Sequence, residues 1–131
     1  MQEFKFLNYQ INSQIAEIII NRPPINAFNI QLLDEILSSL ELAKNDGTVR
    51  AVLIKSNLEK IFCAGLDLDI LIDKPILKVR EFLERLYVKL WDVQYNMGKP
   101  TIAVVNGSAR GGGMTLAISC DVILALSLIH I

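Results

Sequence analysis

The segment KPTIAVVNGSARGGGMTLAISCDVILA, Lys99 to Ala125, places three consecutive glycines between a β-rich run and a helix-like run. A glycine inside a helix costs about 1 kcal/mol relative to alanine, so three together need a specific reason. The segment TIAVVNG predicts a buried strand, GGGMTLAIS predicts the start of a helix, and DVILAL predicts a further strand. Strands that alternate with helices in this way are typical of the α/β class, with a substantially parallel sheet.

The rest of the chain continues the alternation. The β-rich runs FKFLNYQI and IAEIII flank turn residues at positions 12–14 and predict a hairpin. A helix is predicted from the N-cap Asn29 to the NDG sequence, and VRAVLIKS is predicted to be a strand buried on both faces. The segment NLEKIFCAGLDL has the character of a loop around Gly65. A second amphipathic helix is predicted from Val79 to Val93.

Composition limits the classes of function. The 131 residues are 52% hydrophobic and carry 13 basic and 14 acidic side chains, which suits one folded domain. No basic block indicates a nucleic-acid partner, and the N-terminus lacks a signal-peptide pattern, which predicts a cytoplasmic or mitochondrial-matrix protein. Cys63, Cys120 and the single His130 do not have metal-ligand spacing, so both cysteines are predicted to be buried thiols in a reducing compartment.

Three interpretations compete for the glycines at positions 111–113. A nucleotide-binding loop fits poorly, because no Gly-Lys-Ser/Thr follows and Leu116 replaces the last glycine of a Gly-x-Gly-x-x-Gly pattern. Residues 114–131 are apolar enough for a membrane span, but Asp121 near its centre would cost about 2.5–3.5 kcal/mol. A helix start fits best, because its unpaired N–H groups can bind an anion or a polarised carbonyl oxygen. The segment FCAGLDL, residues 62–68, supplies a second glycine loop, and one donor from each loop could hold a single oxygen.

Three motifs together resemble those of the crotonase superfamily, the enoyl-CoA hydratase/isomerase family. They are NRPPINAFN, IFCAGLDL and the Lys99–Ala125 segment, and they occur in the family's order and spacing over nearly the whole chain. The resemblance implies a fold of repeated ββα units and an acyl-CoA thioester bound across the two loops. It also implies that residues 1–125 form the N-terminal part of a crotonase-like domain, with an atypical tail at residues 126–131. Coenzyme A would be part of the substrate, with no separate cofactor and no metal, and the full-length protein would be a homotrimer or a dimer of trimers.

The resemblance also implies roles for individual residues. The backbone N–H groups of Leu66 and Gly112 would form an oxyanion hole that polarises the thioester carbonyl and stabilises an enolate. The residues that match the coenzyme A-binding segments of the family are Pro24, Ala27, Ala64, Gly65, Leu66, Asp67, Leu68 and Gly111. Lys60 and Arg110 are each interpreted either as a solvated side chain or as a contact to the coenzyme A phosphates.

Two departures from the family pattern limit the predicted activity. Thr115 stands where family hydratases carry a glutamate, and its neutral hydroxyl cannot act as a carboxylate base. Family members are about twice this long, their other catalytic glutamate follows the strand that matches DVILA, and LSLIHI does not resemble that continuation. Three hypotheses therefore remain: an enoyl-CoA hydratase or isomerase, an inactive fragment or pseudoenzyme that retains the coenzyme A-binding loops, or a membrane-anchored piece. A sheet without its usual covering would expose an apolar patch.

Several side chains have structural interpretations. Asp67 is predicted to cap the short helix LDILI rather than act as a base, and Asp121 is predicted to stabilise a turn. The aromatic residues of the second helix are interpreted as core or subunit contacts rather than ligand contacts: Tyr87, Trp91 and Tyr95. Met114 is interpreted as a core residue.

Overall fold

The computed structural model describes residues 3–126, which form three consecutive ββα units and one further strand. The first unit contains β1 (Leu7–Asn12), β2 (Ile15–Ile20) and α1 (Ile30–Asn45). The second contains β3 (Ala51–Ser56), β4 (Ile61–Cys63), a 3₁₀ turn (Leu68–Ile70), α2 (Ile76–Glu84), a π-helical turn (Arg85–Lys89) and α3 (Leu90–Tyr95). The third contains β5 (Thr101–Val105), β6 (Ser108–Ala109) and α4 (Gly112–Ser119), and β7 (Val122–Ala125) follows it.

The strands form two sheets. The larger has the order β1-β2-β3-β5-β7, in which β1 pairs with β2 antiparallel and every other pairing is parallel. The smaller consists of β4 and β6, paired in parallel. Since parallel strands end at the same edge of a sheet, the segments that follow them are gathered on one side. The predicted α/β class, with a substantially parallel sheet and repeated ββα units, is confirmed.

The first unit forms as its sequence predicts. Ser13 and Gln14 connect β1 to β2 with φ values of +52° and +69°, the conformation of a two-residue hairpin turn. The side chain of Asn29 accepts a hydrogen bond from the N–H of Leu32 at 2.7 Å and caps α1. The apolar face of α1 is fully buried in the core at Leu32, Leu33, Ile36, Leu40 and Ala43.

The second unit departs from the prediction in three respects. Within β3, Val52 and Ile54 are fully buried but Leu53 is only partly covered, so the predicted burial on both faces is incomplete. The loop around Gly65 is preceded by β4, whose three residues are too few to produce a periodic signal. The second helical region begins at Ile76 and contains the π-helical turn, where Arg85 binds Asp34 of α1 at 2.6 Å.

The aromatic residues of the second helical region lie outside the core. Tyr87, Trp91 and Tyr95 are 55%, 40% and 89% exposed, so they are not core residues, and the alternative of a subunit contact stays a prediction. Met114 of α4 is also exposed, which corrects its interpretation as a core residue. The buried face of the helical region is formed instead by Phe82, Leu86, Leu90 and Val93.

The sheet ends in an exposed apolar strand. All four residues of β7 are exposed, as is Leu126 after it, so the apolar patch expected from the sequence is present. Among residues 3–126, no helix has the length and apolar character needed to cross a membrane. Residues 114–126, which make up most of the candidate span, contain the greater part of α4 and all of β7. His130 and residues 127–131 of the proposed tail lie outside the described residues.

Candidate active site

A fully buried asparagine, which the sequence interpretation missed, organises the loop after β2. Asn26 has φ +54°, and its Oδ1 accepts a hydrogen bond from the N–H of Arg22 at 2.7 Å. Its Nδ2 donates to Ser56 Oγ at 2.8 Å and to the carbonyl oxygen of Phe62 at 3.0 Å. The loop after β2 is thereby tied to the end of β3 and to β4. The only signal in the sequence is one amide inside the otherwise apolar run PPINAF, which does not identify its partners.

Backbone pairing orients the first candidate donor. Phe28 donates its N–H to the carbonyl of Gly65 at 2.7 Å and accepts from the N–H of Asp67 at 2.9 Å. Because N–H groups of successive residues in an extended segment alternate in direction, the N–H of Leu66 points away from Phe28. Within residues 3–126 the N–H of Leu66 has no hydrogen-bond acceptor. The group is therefore free to donate to a ligand.

The second candidate donor lies at the start of α4. The N–H of Arg110 donates to the carbonyl of Cys63 at 3.0 Å, and the N–H of Gly113 donates to the carbonyl of Arg110 at 2.8 Å. Gly112 is the first residue of α4, and its N–H has no acceptor among the described residues. The positive end of the helix dipole adds to the attraction of this N–H for a negatively charged oxygen.

A side chain is disfavoured for a different reason at each of the three consecutive glycines. Gly111 has φ +52° and ψ −118°, a conformation that strongly favours glycine. A Cβ on Gly112 would lie 3.2 Å from the ring of Phe28. A Cβ on Gly113 would lie 2.1 Å from the carbonyl oxygen of Cys63, which leaves no room for any side chain. The glycines therefore permit a tight turn and close backbone packing.

Gly65 brings the two loops into contact. A Cβ at this position, where φ is +99°, would lie 2.8 Å from the carbonyl oxygen of Arg110 and 3.2 Å from the amide nitrogen of Gly112. The side chain of Leu66 also approaches Gly112, with Cδ2 3.4 Å from a Cβ built there. The backbones of the two segments that carry the candidate donors are thus in direct contact.

The residues matched to coenzyme A-binding segments are largely brought together. The N–H of Ala64 donates to the carbonyl of Ile25 at 3.1 Å, which joins the Pro24–Ala27 loop to residues 64–68. Pro24, Leu68 and Gly111 are exposed, whereas Ala27 and Gly65 are buried. Two cationic side chains are placed differently: Arg110 is exposed beside Gly111, and Lys60 is exposed at the opposite end of β4 from Cys63.

The two aspartates have the structural roles predicted for them. Asp67 caps the 3₁₀ turn by accepting a hydrogen bond from the N–H of Asp69 at 3.1 Å. Asp121 accepts from the N–H of Thr101 at 2.9 Å, at the turn between α4 and β7.

Thr115 does not supply a base. Its Oγ1 donates a hydrogen bond to the carbonyl of Gly111 at 3.4 Å, within the first turn of α4. A neutral hydroxyl engaged with its own helix cannot take the part of a carboxylate in removing a proton from water.

Both thiols are buried and free, as predicted from the sequence. Burial raises the pKa of Cys63 and of Cys120 to about 11. The thiol of Cys63 also donates to the carbonyl of Asn26 at 3.1 Å. Residues 3–126 contain no cluster of three or more potential metal ligands.

Two cavities differ in their relation to the loops. One, of about 710 Å³, lies beside the loop around Gly65 and is lined by Arg22, Asn29, Asp67 and Lys78 among others. Another, of about 750 Å³, is lined by Tyr9 of β1 and by residues of α1 and the turn after it, and it shares no residue with either loop. Only the first is adjacent to the candidate site.

The chain belongs to the enoyl-CoA hydratase/isomerase family, whose family model matches residues 10–127. It is 36% identical over 117 residues to mouse enoyl-CoA hydratase domain-containing protein 2, mitochondrial, covering 88% of this chain and 39% of the mouse protein. It is also 36% identical over 115 residues to the crotonyl-CoA hydratase of Syntrophomonas wolfei, covering 87% and 44% of the two chains.

Solved structures support the same fold. The human mitochondrial delta3-delta2-enoyl-CoA isomerase is similar with a TM-score of 0.84 and 25% identity, over 91% of this chain and 46% of the isomerase. The chain thus spans less than half the length of each of these relatives. The similar proteins include both hydratases and an isomerase, so membership alone does not select one reaction.

Proposed function

We propose that this chain binds an acyl-CoA thioester and polarises its carbonyl oxygen with the N–H groups of Leu66 and Gly112. The observation that carries the proposal is the backbone contact between the two loops, with both N–H groups unpaired among the described residues. Two preorganised donors are matched to an oxygen that gains negative charge, and loss of one donor typically costs about 10²–10³ in kcat. The family of the chain supports a thioester as the group bound.

A protein containing this chain would act on an enoyl-CoA as a hydratase or an isomerase. Both reactions pass charge onto the thioester oxygen, which the two N–H groups would stabilise as an enolate. A hydratase must also activate water, and Thr115 cannot supply a carboxylate for that step. A double-bond shift, which moves one proton at a time, needs a single base and is more compatible with these residues.

A second candidate is acyl-CoA binding without turnover. Thr115 favours it, and the aspartates at positions 67 and 121 are already engaged in structural hydrogen bonds. This alternative keeps both donors and removes only the chemistry. It predicts a measurable dissociation constant for acyl-CoA together with no turnover of either isomer of an enoyl-CoA.

Two substitutions at position 112 test the proposed donors. Gly112→Pro removes the N–H, and proline is accommodated at the first position of a helix. Gly112→Ala retains the N–H and introduces the same Cβ near Phe28, so it is the matched control. Binding of butanoyl-CoA is measured by calorimetry, and turnover of 2-enoyl- and 3-enoyl-CoA by chromatography. We expect Gly112→Pro to bind more weakly and turn over more slowly than Gly112→Ala.

Turnover by a protein that contains this chain without substitutions decides between the two candidates. Turnover of 3-enoyl-CoA favours isomerisation, and turnover of 2-enoyl-CoA favours hydration. Binding alone favours the second candidate. If butanoyl-CoA binds no better than free coenzyme A and neither enoyl-CoA reacts, the proposed function is wrong.

The oligomeric state and the cellular compartment are also proposed from the family of the chain. We propose a homotrimer or a dimer of trimers, in the cytoplasm or the mitochondrial matrix, with coenzyme A bound only as part of the substrate. The mouse relative carries "mitochondrial" in its name, which supports the second compartment. Light scattering coupled to size-exclusion chromatography measures the assembly directly.

A further inference from the structure

Arg22 connects the loop after β2, at Ala27, to the loop after β4, at Asp67. Its Nη1 donates to the carbonyl oxygen of Ala27 at 2.8 Å and to Oδ2 of Asp67 at 3.1 Å. The side chains of Arg22 and Asp67 are only 23% and 24% exposed. The guanidinium carbon also lies 5.3 Å from the centre of the Phe6 ring, which limits its freedom further. One nitrogen atom therefore holds both the loop after β2 and the loop after β4.

Asp67 transmits this contact to the candidate donor. Its peptide nitrogen follows Leu66 directly and donates to the carbonyl of Phe28 at 2.9 Å. Its second carboxylate oxygen accepts from the N–H of Asp69 at 3.1 Å. The carboxylate is thus fixed on both sides, and the direction of the N–H of Leu66 depends on where Asp67 is held.

The other candidate donor does not depend on this arginine. The N–H of Gly112 is positioned by the hydrogen bonds of Arg110 and Gly113 and by the close packing of Gly113 against the carbonyl of Cys63. Loss of the Arg22 contact should therefore affect one donor and leave the other in place. This asymmetry gives the contact a measurable signature.

We infer that Arg22 is a positioning residue that aims the N–H of Leu66 at the thioester oxygen by holding Ala27 and Asp67 together. The inference rests on the proposed function. The guanidinium does not touch the substrate and acts only through the two residues that it binds. A flexible ammonium cannot replace it fully, because the planar guanidinium and its contact with Phe6 fix its direction.

The test is the infrared band of the thioester carbonyl in butanoyl-CoA labelled with ¹³C at C1. Two hydrogen bonds to the oxygen should move the band to lower wavenumber when the probe binds. We expect Arg22→Met to lose roughly half of that shift, because one of the two donors is misdirected. Arg22→Lys should retain an intermediate shift. Arg50→Met is the control, because Arg50 is exposed at the opposite end of β3 from the site.

Each outcome has one meaning. No shift, or no binding, in the unsubstituted chain contradicts the proposed function itself. A normal shift there and an unchanged shift in Arg22→Met overturn the inference about Arg22. Circular dichroism and urea titration identify a variant that does not fold, and Asp67→Asn then replaces Arg22→Met. That substitution keeps an oxygen to cap the 3₁₀ turn while weakening the contact with the guanidinium, and its reduced shift supports the inference, whereas a full shift overturns it.

Discussion

At Gly113 the start of α4 packs directly against the backbone of β4. A Cβ there would lie 2.1 Å from a backbone oxygen, that of Cys63, whereas a Cβ on Gly47 would meet no atom within 4 Å. A backbone oxygen inside β4 cannot move away as a flexible side chain could. The difference between these two glycines is a direct measure of what close backbone contact contributes to the site.

We predict that Gly113→Ala lowers the free energy of unfolding by about 1–3 kcal/mol or more, since overpacking forces the backbone to shift. Gly47→Ala should be neutral or stabilise by about 0.4–1 kcal/mol, because alanine restricts the unfolded chain. Urea titration of both variants measures the difference. Equal stability of the two variants would contradict the contact with Cys63.

The thiols give the stability a dependence on alkaline pH. A pKa raised from 9.0 to about 11 means that the folded chain keeps protons that the unfolded chain has lost between these values. The stabilisation is complete below pH 9 and is lost as the pH rises towards 11. Burial also raises the pKa of Tyr9, with the same sign, so only a comparison of variants isolates the cysteines.

We predict that the unfolding free energy falls between pH 9 and pH 11, and falls less in the double variant Cys63→Ala, Cys120→Ala. The difference should reach up to about 2–3 kcal/mol for each thiol. Denaturant titrations at pH 8, 9, 10 and 11 measure it. Parallel pH profiles for the two proteins would show that the thiols do not cause the dependence.

At the scale of elements, α1 positions its neighbours through its first turn. Asn29 is both the N-cap of α1 and the residue after Phe28, whose backbone pairs with residues 65 and 67. Loss of the cap should fray the end of the helix nearest the candidate site. Asn45, the last residue of the same helix, is exposed and serves as a control.

We predict that Asn29→Ala lowers the free energy of unfolding by about 1 kcal/mol, the usual cost of removing an N-cap oxygen. Asn45→Ala should change it by less than about 0.5 kcal/mol. Thermal and urea unfolding of both variants test the prediction. An effect of equal size at the two ends would mean that the cap contributes nothing specific.

The elements also show what a sequence can predict. The hairpin, α1 and β5 follow from turn residues, a cap and periodic apolar residues, all of which are local signals. The short strands β4 and β6 have no such signal, because they exist only through pairing between segments about 45 residues apart. For the same reason the hydrogen-bond partners of Asn26 and Arg22 cannot be predicted from the sequence. The two loops can be, because their glycines mark them.

At the scale of the whole molecule, the outer edge of the larger sheet is apolar and exposed. Val122, Ile123 and Leu124 are 46%, 45% and 56% exposed on a strand whose one neighbour within residues 3–126 is β5. An exposed apolar edge strand is a site of association between chains. The pairing of β7 with β5 extends the parallel sheet. Its exposed apolar side chains favour contact with another surface.

We predict that this 131-residue chain, expressed alone, associates as its concentration rises and enhances the fluorescence of 1-anilinonaphthalene-8-sulfonate. Ile123→Lys should reduce both effects, because a charge on an edge strand opposes pairing. Arg50→Lys, which keeps the charge at an exposed site, is the control. Sedimentation velocity over a hundredfold concentration range measures association, and equal behaviour of both variants would exclude β7 as the contact.

The burial of Cys63 has a consequence for the chemistry proposed at the neighbouring loop. A thiolate next to an activated thioester would capture the acyl group by transthioesterification and leave the protein covalently modified. With its pKa near 11 and its hydrogen committed to the carbonyl of Asn26, this sulfur is almost entirely protonated at neutral pH and is a poor nucleophile. If the proposed thioester binds at this loop, a buried, protonated cysteine packs beside it without acting as a competing acyl acceptor.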